Sequence, residues 1–235
     1  MNESNMWKET DEEILQQIPE KLLTWYDKNA RVLPWREDPR PYRVWVSEIM
    51  LQQTRVEAVK PYFERFLKAL PTVADLAQAP EEQLLKLWEG LGYYNRVRNL
   101  QRGARAVMAE HGGVIPASFE ALKKLPGIGD YTAGAIGSIA FQIPVPAVDG
   151  NVLRVISRVL YRRDNILDAK VKRRIEEEIK EILPERTGDF NQSLMELGAT
   201  VCLPNGAPKC NECPLQELCR AHLVGDEESL PVKTK

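Results

Sequence analysis

The chain has 235 residues, 43% of them hydrophobic and 28% charged, with a formal net charge of −2. That supports one large domain or two small ones with a real core, and it excludes a disordered chain and a polycation that coats nucleic acid, so any nucleic-acid site must be local. Apolar runs such as residues 133–141 are too short to cross a bilayer, and Glu3, Glu9, Asp11, Glu12 and Glu13 fit no secretory leader, so a cytoplasmic protein without a membrane partner is expected.

Taken in chain order, the predicted elements are helices. Thr10 to Glu13 form a capping box, and Ile14, Ile18, Leu22 and Trp25 follow at helical spacing, which predicts a helix over about 11–28. Pro34 and Pro41 enclose an irregular segment. A helix over 42–53 is followed by one or two over 54–70, because Pro61 must kink the helix or restart it. Short helices follow at 72–78 and 81–88, and Gly90-Leu91-Gly92 breaks the chain before a long basic helix over 94–111 that Gly112-Gly113 ends. Helices at 118–124, 130–141, 150–162, 168–182 and 189–202 complete the set. No segment alternates as a strand would, so the class is all-α.

Three constellations stand out. In Leu125-Pro126-Gly127-Ile128-Gly129-Asp130-Tyr131 the two glycines permit the positive φ of a hairpin between helices and let a phosphate approach the exposed N–H groups, with Asp130 capping the next helix. Arg98, Arg102 and Arg105 share one helix face, and Arg154, Arg158 and Arg162 repeat along another. Such rows suit a phosphate backbone and equally a solvated charged face. Finally, Cys202, Cys210, Cys213 and Cys219 form a C-x7-C-x2-C-x5-C cluster. In a reducing compartment this favours a metal over disulfides, and zinc and iron-sulfur both fit the spacing.

The Pro-Gly-Ile-Gly hairpin, an aspartate 22 residues beyond Gly127 and the four-cysteine loop resemble the DNA glycosylases of the endonuclease III superfamily. Several segments are similar to its adenine DNA glycosylases of the MutY type: Leu33-Pro34-Trp35-Arg36, residues 46–54, Gly90 to Tyr94, Arg98-Asn99-Leu100, residues 131–136, residues 138–141 and Asp149-Gly150-Asn151-Val152. The resemblance implies a helix-hairpin-helix glycosylase fold. Residues 30–141 would form a six-helix barrel domain, 1–29 with 142–225 an iron-sulfur cluster domain, and 226–235 the opening of a linker. It further implies removal of adenine mispaired with 8-oxoguanine or guanine, in a monomeric enzyme bound to double-stranded DNA in a bacterial nucleoid.

Residue by residue, the resemblance makes Glu48 the general acid at N7 of adenine and Asp149 the nucleophile or stabiliser of the oxocarbenium ion, with Tyr131 and Asn151 supporting Asp149. The chemistry suits these residues: adenine leaves only when a ring nitrogen is protonated, and the sugar gains positive charge as the bond breaks. Glu48 shares a helix face with Val44 and Leu51, whose burial would raise its pKa; Asp149 also reads as a plain N-cap. Where bifunctional relatives use a lysine to form a Schiff base, this chain has Tyr131, which implies excision without strand cleavage. Arg31, Trp35, Arg36 and Gln192 would line the adenine pocket. Leu51, Gln53 and Tyr93 would insert near the lesion, Gly127 and Gly129 would grip the backbone, and the four cysteines would hold a 4Fe-4S cluster.

Two departures from the family pattern carry their own expectations. The loop between Cys202 and Cys210 is one residue longer than the family commonly shows, so it should bulge. The chain ends before any 8-oxoguanine-recognition domain, so a shortened protein is expected to keep excision and lose discrimination. Three other readings stay open: a thymine glycosylase acting on T:G mispairs, an endonuclease III-type lyase, and a zinc-stapled DNA-binding module with no activity.

Overall fold

Helix starts follow the capping chemistry. The computed structural model describes residues 7–234, so Glu3 lies outside the described residues. In α1 (Asp11–Asn29) the Thr10 hydroxyl accepts from the Glu13 N–H while the Glu13 carboxylate accepts from the Thr10 N–H, closing the expected box. Thr72 and Asp75 do the same at α5 (Val73–Gln78). The chain divides into two compact units, one of residues 31–147 and one of residues 1–30 with 148–235.

The unit of residues 31–147 is built from α2 (Pro34–Glu37), α3 (Pro41–Leu51), α4 (Val56–Ala69), α5, α6 (Glu81–Trp88), α7 (Asn95–Glu110), α8 (Phe119–Lys123) and α9 (Asp130–Phe141). Helix α3 packs on α4, α7 and α9. It is buried on nearly every side, from Tyr42 to Met50, which is why its sequence shows no clean amphipathic stripe. Helix α4 runs through Pro61 as one helix, so of the two expected outcomes there is no restart. The proline deprives the Glu57 carbonyl of its helical donor, and the buried row Val59, Phe63 and Phe66 holds the helix across that gap. Gln101, buried on α7, donates to the carbonyls of Leu76 at 3.0 Å and Ala79 at 2.7 Å and ties α7 to the end of α5.

The other unit packs α10 (Gly150–Val159) against α11 (Ala169–Glu181), α12 (Thr187–Thr200) and α13 (Arg220–Val224), with α1 on α12. Ile14, Ile18, Leu22, Val152, Ile156, Phe190 and Leu194 belong to its core. Helix α10 stops three residues short of the expected end because Tyr161 turns to φ 53° and Arg162 N–H reaches back to the Ser157 carbonyl at 2.8 Å. Residues 226–234, offered by the sequence as the opening of a linker, pack on this unit. Leu230 is buried, and Ile166 N–H donates to the Val232 carbonyl at 3.0 Å. Among the described residues there is no strand, only one isolated parallel bridge between Asn165 and Val232. No described helix is long and apolar enough to cross a membrane.

Candidate active site

The hairpin between α8 and α9 uses its two glycines differently. Gly127 sits at φ 79°, and a Cβ there would lie 2.8 Å from Asn99 Cβ, so both conformation and space require glycine. Gly129 is extended at φ −95° and open around its Cα, which corrects the expectation that both supply positive φ. It is also Gly129, rather than Asp130, that stands at the N-cap of α9; Asp130 is the first helical residue and pairs with Lys123 Nζ at 2.7 Å. Ile128, buried between the glycines, anchors the turn, leaving the Gly129 end free of crowding side chains.

In the first turn of α9, Tyr131 meets Glu48. The phenol donates to Glu48 Oε2 at 2.8 Å, joining α9 to a glutamate that is only 7% exposed. The first turn of α9 packs on α3, and Glu48 faces it from there. A buried carboxyl group joined to a phenol is suited to exchange a proton with a bound base.

Asp149 is held in another way. It is the N-cap of α10: Oδ1 accepts from the N–H groups of Asn151 at 2.8 Å and Val152 at 2.9 Å, while Oδ2 accepts from Asn151 Nδ2 at 2.7 Å. Burial pushes its pKa up, opposed by these hydrogen bonds and by the nearby Arg154, and burial prevails. Asn151 is itself fixed from behind, because Arg154 donates to its Oδ1 at 2.8 Å and to the Gly198 carbonyl at 2.7 Å. The expected N-cap role and the expected Asn151 support therefore coexist in one motif.

The second arginine row is not a surface for phosphates. Arg154 and Arg158 are buried, and Arg162 pairs with Asp11 and Glu178 at 2.7 Å each. In the first row Arg98 pairs with Glu81 at 2.8 Å, and Arg105 donates to the Ala77 carbonyl at 3.0 Å. Helical spacing alone does not say which side of a helix is covered, so sequence reasoning missed Arg154 and Arg158 as internal supports.

The other pocket candidates fall as follows. Trp35 is buried and meets Phe63 edge-on at 5.3 Å, and Arg36 donates to the Arg31 carbonyl at 3.2 Å. Gln192 lies half-buried on α12, and Leu51 is half-buried at the end of α3. Gln53 and Tyr93 are exposed and line one open cleft with Gln52, Tyr94, Asn95 and Arg96.

Cys202, Cys210, Cys213 and Cys219 are free thiols that line a single cavity walled by Val155, Val159, Leu197 and Val201. Burial pushes Cys210 up to about 11 and Cys213 and Cys219 up to about 12. Arg158 donates to Cys202 Sγ at 3.3 Å. Four sulfurs lining one cavity, with Arg158, Gln216, His222 and Glu227 also in its wall, suit a soft, thiolate-bound metal centre, whose binding would displace the thiol protons.

Comparison with known proteins agrees with this geometry. Residues 46–184 match the HhH-GPD superfamily base excision DNA repair protein family. The chain is 50% identical over 211 residues to the adenine DNA glycosylase of Rattus norvegicus, covering 86% of this chain and 41% of that protein. It is 48% identical over 219 residues to that of Homo sapiens, covering 89% and 40%. It therefore spans about two fifths of the length of these relatives. A thermostable thymine-DNA glycosylase superposes with a TM-score of 0.81 at 29% identity, over 90% of this chain and 97% of that one. The hairpin, the buried glutamate beside it and the capped aspartate lie inside or directly on the matched span, and the chain belongs to the HhH-GPD superfamily of base excision DNA repair proteins.

Proposed function

We propose that this chain is a monofunctional adenine DNA glycosylase that cuts the N-glycosidic bond of adenine opposite 8-oxoguanine or guanine in duplex DNA. The observation that carries this reading is the buried Glu48 with the Tyr131 phenol on its carboxylate. A buried carboxyl group beside the hairpin supports a proton-exchanging role for Glu48, and the phenol of Tyr131, where the resemblance puts the lysine of bifunctional relatives, supports excision without an imine. Glu48 delivers a proton to the leaving base, and Asp149, held by two backbone amides and Asn151, is the anion that meets the positive charge growing on the sugar. Identity of 48–50% to adenine DNA glycosylases over most of the chain supports adenine as the base.

Gln53 and Tyr93 enter the duplex to fill the gap that base extrusion leaves. Arg31, Trp35, Arg36 and Gln192 enclose the extruded base. The hairpin amides at Gly127 and Gly129 hold the phosphate backbone without reading sequence. Cys202, Cys210, Cys213 and Cys219 hold a 4Fe-4S cluster. When bound, that group ties the loop from 202 to 219 to the end of α12 through four metal–sulfur bonds. Brown colour with matching iron and sulfide content supports it, whereas a colourless zinc protein overturns it.

The test of the activity is adenine release from an A:8-oxoguanine duplex by the chain and by Glu48→Gln. Release that the variant slows by about 10²–10⁴-fold is expected; release of no adenine by the chain, or equal release by the variant, overturns the proposal. A second reading, removal of thymine from T:G mispairs, is favoured by the TM-score of 0.81 to a thymine-DNA glycosylase. The same assay on a T:G duplex separates the two, and trapping on DNA with borohydride would instead reveal a lyase.

A further inference from the structure

A single guanidinium, not singled out by the sequence, gathers the backbone of two loops. Arg96 Nη1 donates to the carbonyls of Ile49 at 3.0 Å, Met50 at 3.1 Å and Gln52. Its Nη2 donates to the carbonyls of Leu91 at 3.0 Å and Gly92 at 3.2 Å, and both nitrogens reach the Thr54 hydroxyl, at 3.5 and 3.4 Å. The ring of Trp88 lies 5.4 Å from the guanidinium carbon and that of Tyr93 5.6 Å. Among the described residues Arg96 has no carboxylate partner, and burial lowers its pKa. A charge held this way is costly unless it does work on its neighbours, and its neighbours are the last carbonyls of α3 and the turn before α7.

Each of those two loops ends on a strained residue. Gln53, one beyond the Gln52 carbonyl, is at φ 56°, and Tyr93, one beyond the Gly92 carbonyl, is at φ 49°. Neither is a glycine, so each left-handed backbone is held against its own preference by what surrounds it. Both side chains are exposed, Tyr93 by 66%, and both open onto the same cleft. An exposed aromatic side chain on a rigidly held, strained backbone is poorly explained by packing and well explained by a partner that the side chain must meet in one orientation.

We infer that Arg96 is a positioning residue for base extrusion: by bridging the carbonyls of the two loops it fixes Gln53 and Tyr93 as a rigid pair that enters the base stack. This rests on the proposed glycosylase reading. A rigid wedge meets the cost of unstacking with no loss of side-chain freedom at the moment of entry, whereas two loose loops would each have to be ordered first. Lysine cannot replace the arginine, because one ammonium nitrogen cannot span two sets of carbonyls that the two Nη atoms divide between them.

The test reads extrusion apart from cleavage. In a Glu48→Gln background, the protein is saturated with a duplex bearing 2-aminopurine at the target position, and fluorescence reports unstacking. Arg96→Leu in that background is expected to lose most of the rise. In the Glu48 protein, Arg96→Leu is expected to slow excision of a stacked, mispaired adenine by about a hundredfold and to recover most of the rate on an adenine in a bulge, where unstacking is already met. An unchanged fluorescence rise, or an equal loss on stacked and bulged adenine, overturns the inference, since harm transmitted through Glu48 would not be rescued by the bulge. Arg96→Lys, which keeps the charge, should behave as Arg96→Leu does and serves where the leucine variant fails to fold. Excision of thymine but not adenine by the parent chain overturns only the adenine reading, because the fluorescence comparison does not depend on which base is cut.

Discussion

Two carboxylates, one in each unit, are held by opposite means. Glu48 sits inside a helix buried on nearly every side and meets a neutral phenol, while Asp149 sits at a helix start and meets two backbone amides and a side-chain amide backed by a guanidinium. A neutral donor in a buried setting suits a group that must give and take a proton. Fixed dipoles and a nearby cation suit a group that must stay an anion. The contrast teaches that one functional group, the carboxyl, meets two different environments according to the element that carries it, mid-helix for the proposed acid and N-cap for the proposed anion.

The sharpest way to break that contrast is to neutralise each carboxylate without changing its shape. Glu48→Gln removes the proton donor, and single-turnover adenine release is expected to fall by about 10²–10⁴-fold. Asp149→Asn removes the charge and is expected to cost about 10²–10³-fold. Asparagine keeps the oxygen that caps the two backbone amides but turns an NH2 donor toward Asn151 Nδ2, so Asp149→Asn should melt between the parent and Asp149→Ala, which should lose about 0.5–2 kcal/mol. Equal melting of the two Asp149 variants would show that the cap is not what holds this residue.

Packing behind each group gives the next effect. A Cβ at Gly198 would lie 2.5 Å from Asn151 Cβ and 3.1 Å from its Cα, so Gly198→Ala should cost about 1–3 kcal/mol in denaturant melts. It should also slow excision by displacing Asn151 from Asp149. Smaller still is the difference between the hairpin glycines. Gly127→Ala should cost about 1–2 kcal/mol, because φ is 79° and Asn99 is in the way, while Gly129→Ala should leave stability unchanged and weaken only duplex binding. Loss of stability at both positions would mean that they are equivalent after all.

Those glycines mark where the sequence was legible and where it was not. Caps, proline and glycine breaks are local chemistry, so Thr10, Gly112 and the bounds of α6 and α9 could be read from residue order alone. The helix through Pro61 and the role of Gly129 could not, since each depends on what packs against the backbone. The same holds at the site. Glu48 and Asp149 stood out by their segments, but the partner of Tyr131 is decided by the packing of α9 on α3, and the arginines behind Asp149 and Cys202 by which face of α10 is buried. Periodicity sees that a row of arginines exists; only tertiary contact says that Arg154 and Arg158 spend their donors on carbonyls.

The most subtle test lies in the pH dependence of Asp149. Burial raises its pKa while the hydrogen bonds from Val152 N–H, Asn151 Nδ2 and Asn151 N–H, together with Arg154, oppose the rise. Asn151→Ala removes one opposing hydrogen bond and keeps the backbone amides, so the pKa should climb further. Because the proposed role needs the anion, the acid limb of the excision rate should lie above the ordinary carboxylate range in the parent and move to higher pH in Asn151→Ala. Stability carries the matching sign. The folded state binds this proton more tightly than the unfolded chain does, so the contribution is complete below the unfolded pKa and is lost as pH rises through the folded one. In Asn151→Ala that loss should extend to higher pH, measured as melting temperature against pH beside the rate profile. An acid limb that stays in place while the rate falls would instead mean that Asn151 orients Asp149 without affecting its charge.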